Sequence, residues 1–142
     1  MNNVVDDYID QLGIGKPLSE RVRLSEMECL KLIPGPINNV FISDLVDSEG
    51  IRQYSNLHFF TDSMVYEQEN FVSSTTIWLT SLPAKLTCVV DKQEFDFENH
   101  TERSRLSIRA IWVGDFQIDL RASGANCLAL MKIYREILLP RV

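Results

Sequence analysis

Pro34-Gly35-Pro36 separates two kinds of pattern in this chain. The two prolines fix φ and remove backbone donors, so neither a helix nor a central strand runs through them. Before them apolar residues recur at helical spacing; after them they alternate. That switch of period, from about 3.6 to 2, restricts the chain to an α+β fold with helices and strands segregated along the sequence. Val4, Val5, Tyr8, Ile9 and Leu12 form an amphipathic stripe over 3–12. Asp6 and Asp7 suit the positive end of that helix, and Gly13, Gly15 and Pro17 stop it. Ser25-Glu26-Met27-Glu28 fits a capping box, which predicts a second short helix from Ser25 to about Ile33.

From residue 38 the alternation predicts strands at 38–46, 56–61, 64–70, 75–81, 84–91, 94–98, 104–113 and 116–121. Turn chemistry separates them at Asp47-Ser48-Glu49-Gly50, Thr61-Asp62-Ser63, Asp91-Lys92-Gln93 and Gly114-Asp115. Ala84, Leu86, Cys88 and Val90 are expected to face inward, as are Phe95 and Phe97, and Leu106, Ile108, Ala110 and Trp112. Half-buried strands in series mean an antiparallel meander. In the last hairpin the inward sets are even-numbered on both arms. A loop of odd length at Val113-Gly114-Asp115 therefore pairs Trp112 with Phe116 and Ile108 with Leu120, and sets Arg109 opposite Asp119 on the outer face. Ser123-Gly124 opens a final helix over 124–138, apolar around more than half its circumference, which needs packing on two sides. The expected architecture is one domain, 1–142. A helical prologue (1–36) precedes a bent antiparallel sheet or partial barrel of seven or eight strands (37–122), and a C-terminal helix (123–139) packs on it.

Charge adds direction. The net charge is −6, yet residues 1–102 carry 7 basic and 17 acidic side chains, whereas 103–142 carry 7 and 3. An acidic chain repels phosphate backbones and anionic headgroups at long range, so nucleic acid is not an expected partner. No apolar stretch is long enough to span a bilayer. The opening Met1-Asn-Asn-Val-Val-Asp-Asp lacks the basic and apolar regions of a secretory leader. The three cysteines, Cys29, Cys88 and Cys127, are widely spaced and read as free thiols in a reducing compartment. A cytoplasmic protein is expected.

Chemical motifs are sparse. Gly13-Ile14-Gly15-Lys16 lacks phosphate-loop spacing, and Asp47-Ser48-Glu49-Gly50 lacks the ligands of a calcium loop. The cysteines show no metal spacing, and His58 and His100 stand apart, His58 as an outward strand residue and His100 in a loop. No nucleophile sits beside a histidine and an orienting acid, so catalysis is not the expected role, and no cofactor or metal is expected. A basic stripe remains. Arg105 and Arg109 share the outer face of one strand, Arg121 lies on the adjoining strand, and Arg103 is close by. Guanidinium groups so placed recognise carboxylate or phosphate, or else balance neighbouring acids such as Asp119.

Phe60-Thr61-Asp62-Ser63-Met64-Val65-Tyr66, together with Phe116-Gln-Ile-Asp-Leu-Arg-Ala-Ser123 running into an amphipathic helix, is similar to the strand pattern and closing helix of pleckstrin-homology-type domains. That resemblance covers 56–138 and implies a bent barrel plugged by the helix. The chain lacks a basic first hairpin loop, so the implied role is protein interaction and not lipid binding. The acidic composition and a first helix ending in Leu12-Gly-Ile-Gly-Lys-Pro-Leu18 resemble type III secretion chaperones, which dimerise and carry a helix within their strand run. A curved sheet closed by a C-terminal helix also resembles helix-grip proteins, which hold small apolar ligands. The function expected is a non-catalytic interaction module whose partner is another protein or a second copy, as a homodimer. The chaperone and the small-molecule carrier are the alternatives.

Overall fold

The computed structural model describes residues 3–142; Met1 and Asn2, part of the opening tested for a leader, lie outside the described residues. Among the described residues, three α-helices and seven strands form an α+β fold with two antiparallel sheets, ordered β1-β2-β3-β4 and β5-β6-β7. The expected single bent sheet is thus two, neither closed. The break falls between β4 and β5, which follow one another along the chain without pairing, and Pro83 lies in the segment that joins them. The chain divides into two compact units, one of residues up to Ile42 with Tyr54–Leu82, the other of Ser43–Gln53 with Pro83–Val142. The division falls inside β1 (Asn39–Val46) and β2 (Arg52–Phe60).

In the first unit, α1 (Val4–Leu12) is capped by Asn3, whose side chain accepts from Val5 N–H at 2.7 Å, and ends at Gly13 with φ 64°. That left-handed conformation is one glycine adopts without strain. Its buried face carries Val5, Tyr8 and Ile9, and Ile42 N–H donates to Tyr8 Oη at 2.9 Å. The second helix, α2 (Leu18–Leu32), starts seven residues before the expected Ser25. Proline is favoured at helix starts and Leu18–Leu24 holds good helix formers. Ser25 is therefore interior and buried, and its Oγ donates to Gln68 Oε1 at 2.8 Å instead of capping. The helix ends at Ile33 before Pro34, as expected. In β2, Leu57, His58, Phe59 and Phe60 are all buried, so this strand is covered on both faces. His58 is correspondingly inward, not outward. It pairs across the ladder with Glu67 of β3 (Met64–Gln68), which in turn pairs with β4 (Ile77–Ser81).

In the second unit, β5 (Leu86–Gln93), β6 (Arg105–Trp112) and β7 (Gln117–Ser123) form a meander. The hairpin register is the expected one: Ile108 opposes Leu120, Ala110 opposes Ile118, and Arg109 opposes Asp119. Trp112 N–H donates to Phe116 O at 2.7 Å, and their rings meet edge-on at 5.4 Å. Two expectations fail here. Asp91-Lys92-Gln93 is no turn, because these residues pair with Ser107, Leu106 and Arg105. Residues 94–98 are no strand: Glu94 and Phe97 have φ of 49° and 74°, and Asp96 accepts the backbone N–H groups of Glu98 and Asn99. The alternation of Phe95 and Phe97 arises from two aromatic rings, 5.5 Å apart, tucked under a loop.

The last helix, α3 (Asn126–Ile133), continues through a wider turn at Tyr134–Leu138 and a tight one at Leu139–Arg141. It buries Cys127, Leu130, Met131 and Ile133 and packs on β7 and β6. Of the residues expected inward near β5, Leu86 is buried, but Cys88 is half-buried and Ala84 and Val90 are exposed, because β5 is the edge strand that α3 leaves uncovered.

Candidate functional site

The pairing of β5, β6 and β7 fixes what stands on their outer face. Arg105 lies between Gln93 and Ser123, Ser107 between Asp91 and Arg121, and Arg109 between Val89 and Asp119. Three of the four candidate arginines therefore share one face, with Arg121 diagonal to both others. They are not equivalent. Arg109 Nε lies 3.3 Å from Asp119 Oδ1, so its charge is balanced across the hairpin. Arg105 folds back, its Nη1 donating to Glu102 O at 3.0 Å and Ser104 O at 2.8 Å. Those two bonds fix the direction of the guanidinium. Arg121 is exposed, and among the described residues its guanidinium has no hydrogen-bond or ion-pair partner, its bond to Ser43 being that of the backbone N–H. Arg103 occupies the turn before β6, where its N–H donates to Thr101 Oγ1 at 3.2 Å, and it does not join the others.

Arg105 and Arg121 line an open groove of about 470 Å³, together with Asp91, Gln93, Ser107 and Asp44. Asp44 is a residue that motif reading passed over. It is 2% exposed, and its Oδ1 accepts from Ser123 N–H at 3.0 Å and Asn126 Nδ2 at 2.7 Å. Its Oδ2 lies 3.1 Å from Arg52 Nε, an electrostatic approach outside hydrogen-bond alignment. Burial pushes the Asp44 carboxyl above its ordinary value, against the lowering by Asn126, the Ser123 N–H, Arg52 and Arg105. Ser43 Oγ likewise accepts from Arg121 N–H at 3.2 Å. These N–H groups lie on the side of β7 turned away from β6, since Trp112 and Phe116 set the hydrogen-bonded phase. Ser43 and Asp44 thus close the edge of β7 with side chains. One signal was visible in the sequence: an acid set among the apolar residues of Val40-Phe41-Ile42-Ser43-Asp44-Leu45-Val46.

A second groove, about 360 Å³, opens where β5 is uncovered, lined by Val90, Phe97, Ile108, Met131, Tyr134 and Arg135. Its lining is almost wholly apolar. In the first unit, His58 Nε2 and Glu67 Oε2 lie 2.6 Å apart, with His58 fully buried and the Glu67 side chain 15% exposed. Burial raises the Glu67 carboxyl, but the His58 hydrogen bond and charge, with a bond from Asn56, outweigh it and hold the group low. His100 is exposed in its loop, as expected. Cys29 and Cys127 are fully buried and burial pushes their thiols up, to about 12 and about 11. Among the described residues no group of three or more His, Cys, Asp or Glu side chains is placed to hold a metal ion, and no helix is long and apolar enough to cross a membrane. Comparison with protein-family models, with curated proteins and with solved structures finds no match to this chain.

Proposed function

We propose that this chain is a non-catalytic protein-interaction module that takes an acidic segment of a partner on the outer face of β5–β7. The observation that carries this reading is Arg121, exposed, its guanidinium without a partner among the described residues, and on the wall of the groove it shares with Arg105. A guanidinium held beside a second one in a fixed direction favours carboxylates through paired N–H donors. The balance of 7 basic to 3 acidic side chains over 103–142 supports a partner of negative charge despite the net −6. Arg109 belongs to the fold more than to the site, since Asp119 neutralises it.

Seven strands ending in a helix support the pleckstrin-homology-type outline, with the helices before β1 as an addition. The free thiols fit a cytoplasmic setting. No helix interrupts the run from β5 to β7, which tells against the chaperone reading. The apolar groove beside β5 supports a second reading, a carrier of a small apolar ligand, although that groove is open and lacks converging polar groups.

Calorimetric titration of an oligo-glutamate peptide tests the first reading. The expected result is binding that weakens with added salt, is abolished by Arg121→Glu and is unchanged by Arg103→Ala. Binding that survives Arg121→Glu, or no binding at low salt, contradicts it. Native mass spectrometry that retains a small molecule moves the carrier reading to first place.

A further inference from the structure

β4 closes one side of the four-stranded sheet, with β3 as its only neighbouring strand among the described residues. Glu69 N–H donates to Thr76 O at 3.1 Å and Leu82 N–H to Ser63 O at 2.7 Å, which fixes the phase of the β3–β4 ladder. Hydrogen-bonded positions alternate along an antiparallel strand, so Trp78 and Thr80 direct their backbone groups to β3. Ile77 and Leu79 direct theirs away from the sheet. The side chains are open as well, Trp78 being 48% and Leu79 44% exposed. No residue from Asn70 to Ala84 is charged. Natural edges are blunted by charge, proline, a bulge or a cover. This chain uses such devices elsewhere: Ser43 and Asp44 side chains close β7, and Asp91 and Lys92 lie on the edge strand β5. Between Ile77 and Ser81 it has no charge, no proline and no bulge.

We propose that β4 is a self-association edge, with two copies of the chain pairing antiparallel through β4 and Leu79 on the two-fold axis. The strand itself selects a second copy as the occupant. Leu79 is the midpoint of Ile77–Ser81, and it is also an outward-bonding position. A two-fold axis there lets Leu79 N–H donate to Leu79 O of the second copy and receive the same bond in return. Trp78 then stands opposite Thr80 of the second copy, an aromatic against a β-branched side chain. The uncharged run places no like charges across the axis, where a chain of net charge −6 would otherwise repel its copy. This inference does not rest on the arginine groove.

A single strand pair buries less than a standard interface, so a weak association is expected, to be sought from about 1 μM to about 1 mM. Sedimentation equilibrium of the full chain across that range is expected to show a monomer–dimer equilibrium. Leu79→Pro deletes only the outward N–H and spares the bonds to β3; with an unchanged circular dichroism spectrum it is expected to be monomeric. Leu79→Lys and Leu79→Glu are each expected to be monomeric, and their equal mixture to recover the dimer. A wild-type chain that stays monomeric leaves the edge to a foreign strand and overturns the proposal. So does a dimer that persists in Leu79→Pro or Leu79→Lys, or a mixture of the two charged variants that stays monomeric.

Discussion

Arg109 and Asp119 face one another across the last hairpin, Nε to Oδ1 at 3.3 Å, each about half exposed. The pair follows from loop parity: a loop of odd length keeps the apolar sets of β6 and β7 on one face and leaves these two opposite each other. Exposure limits its worth. A double-mutant cycle with Arg109→Ala and Asp119→Ala is expected to give a coupling below about 1 kcal/mol that shrinks with added salt. A coupling several times larger would mean the hairpin depends on this pair and not on its apolar face.

Asp44 closes the edge of β7, and its removal strands the Ser123 N–H and takes one partner from Asn126. A stranded buried donor costs about 1–3 kcal/mol, so Asp44→Ala is expected to lower the urea midpoint clearly, and Asp44→Asn less. Burial raises this carboxyl above 3.8, so the folded chain takes up its proton before the unfolded chain does. Stability then falls as pH rises through the raised value. Asp44→Asn is expected to lose that slope in urea unfolding measured across mildly acidic pH.

Glu67 has the opposite sign. Held below its ordinary 4.5 by His58 and Asn56, it contributes stability above that value and loses it as pH falls through the lowered folded one. Glu67→Gln is expected to destabilise the protein at neutral pH and to flatten its acid unfolding below about 4.5. Equal loss at neutral and strongly acidic pH would contradict the His58–Glu67 account.

The thiols should separate by burial. Cys29 and Cys127 are fully buried with thiols raised to about 12 and about 11, whereas Cys88 is half-buried. Native iodoacetamide labelling followed by peptide mass mapping is expected to modify Cys88 first, and the other two only on unfolding. Early labelling of Cys29 or Cys127 would show that the packing around them opens.

Where local chemistry and tertiary packing agree, the sequence is readable. The stop at Gly13, the end of α2 before Pro34 and the register of Ile108 with Leu120 all follow from short-range rules. Ser25 shows the opposite case: a capping-box pattern is satisfied by Gln68, which lies 43 positions away, and no local rule reveals that. Phe95 and Phe97 alternate like a strand without lying in one: Phe95 is buried, Phe97 is half-buried at φ 74°, and their rings meet edge-on. Of the four arginines, strand parity places Arg105, Arg109 and Arg121 on one face. It cannot say that Asp119 takes Arg109, that Glu102 O and Ser104 O hold Arg105, or that Arg103 turns elsewhere.

The face carrying Arg105 and Arg121 is the proposed seat of an acidic partner. Nuclear magnetic resonance of the isotope-labelled full chain, titrated with an oligo-glutamate peptide at low salt, tests it most directly. The expected result is shifts concentrated at Asp91, Gln93, Arg105, Ser107 and Arg121, all of which line the groove, and their loss in Arg121→Glu. Shifts scattered over Lys16, Lys31 and Lys85, or unchanged by Arg121→Glu, would contradict it.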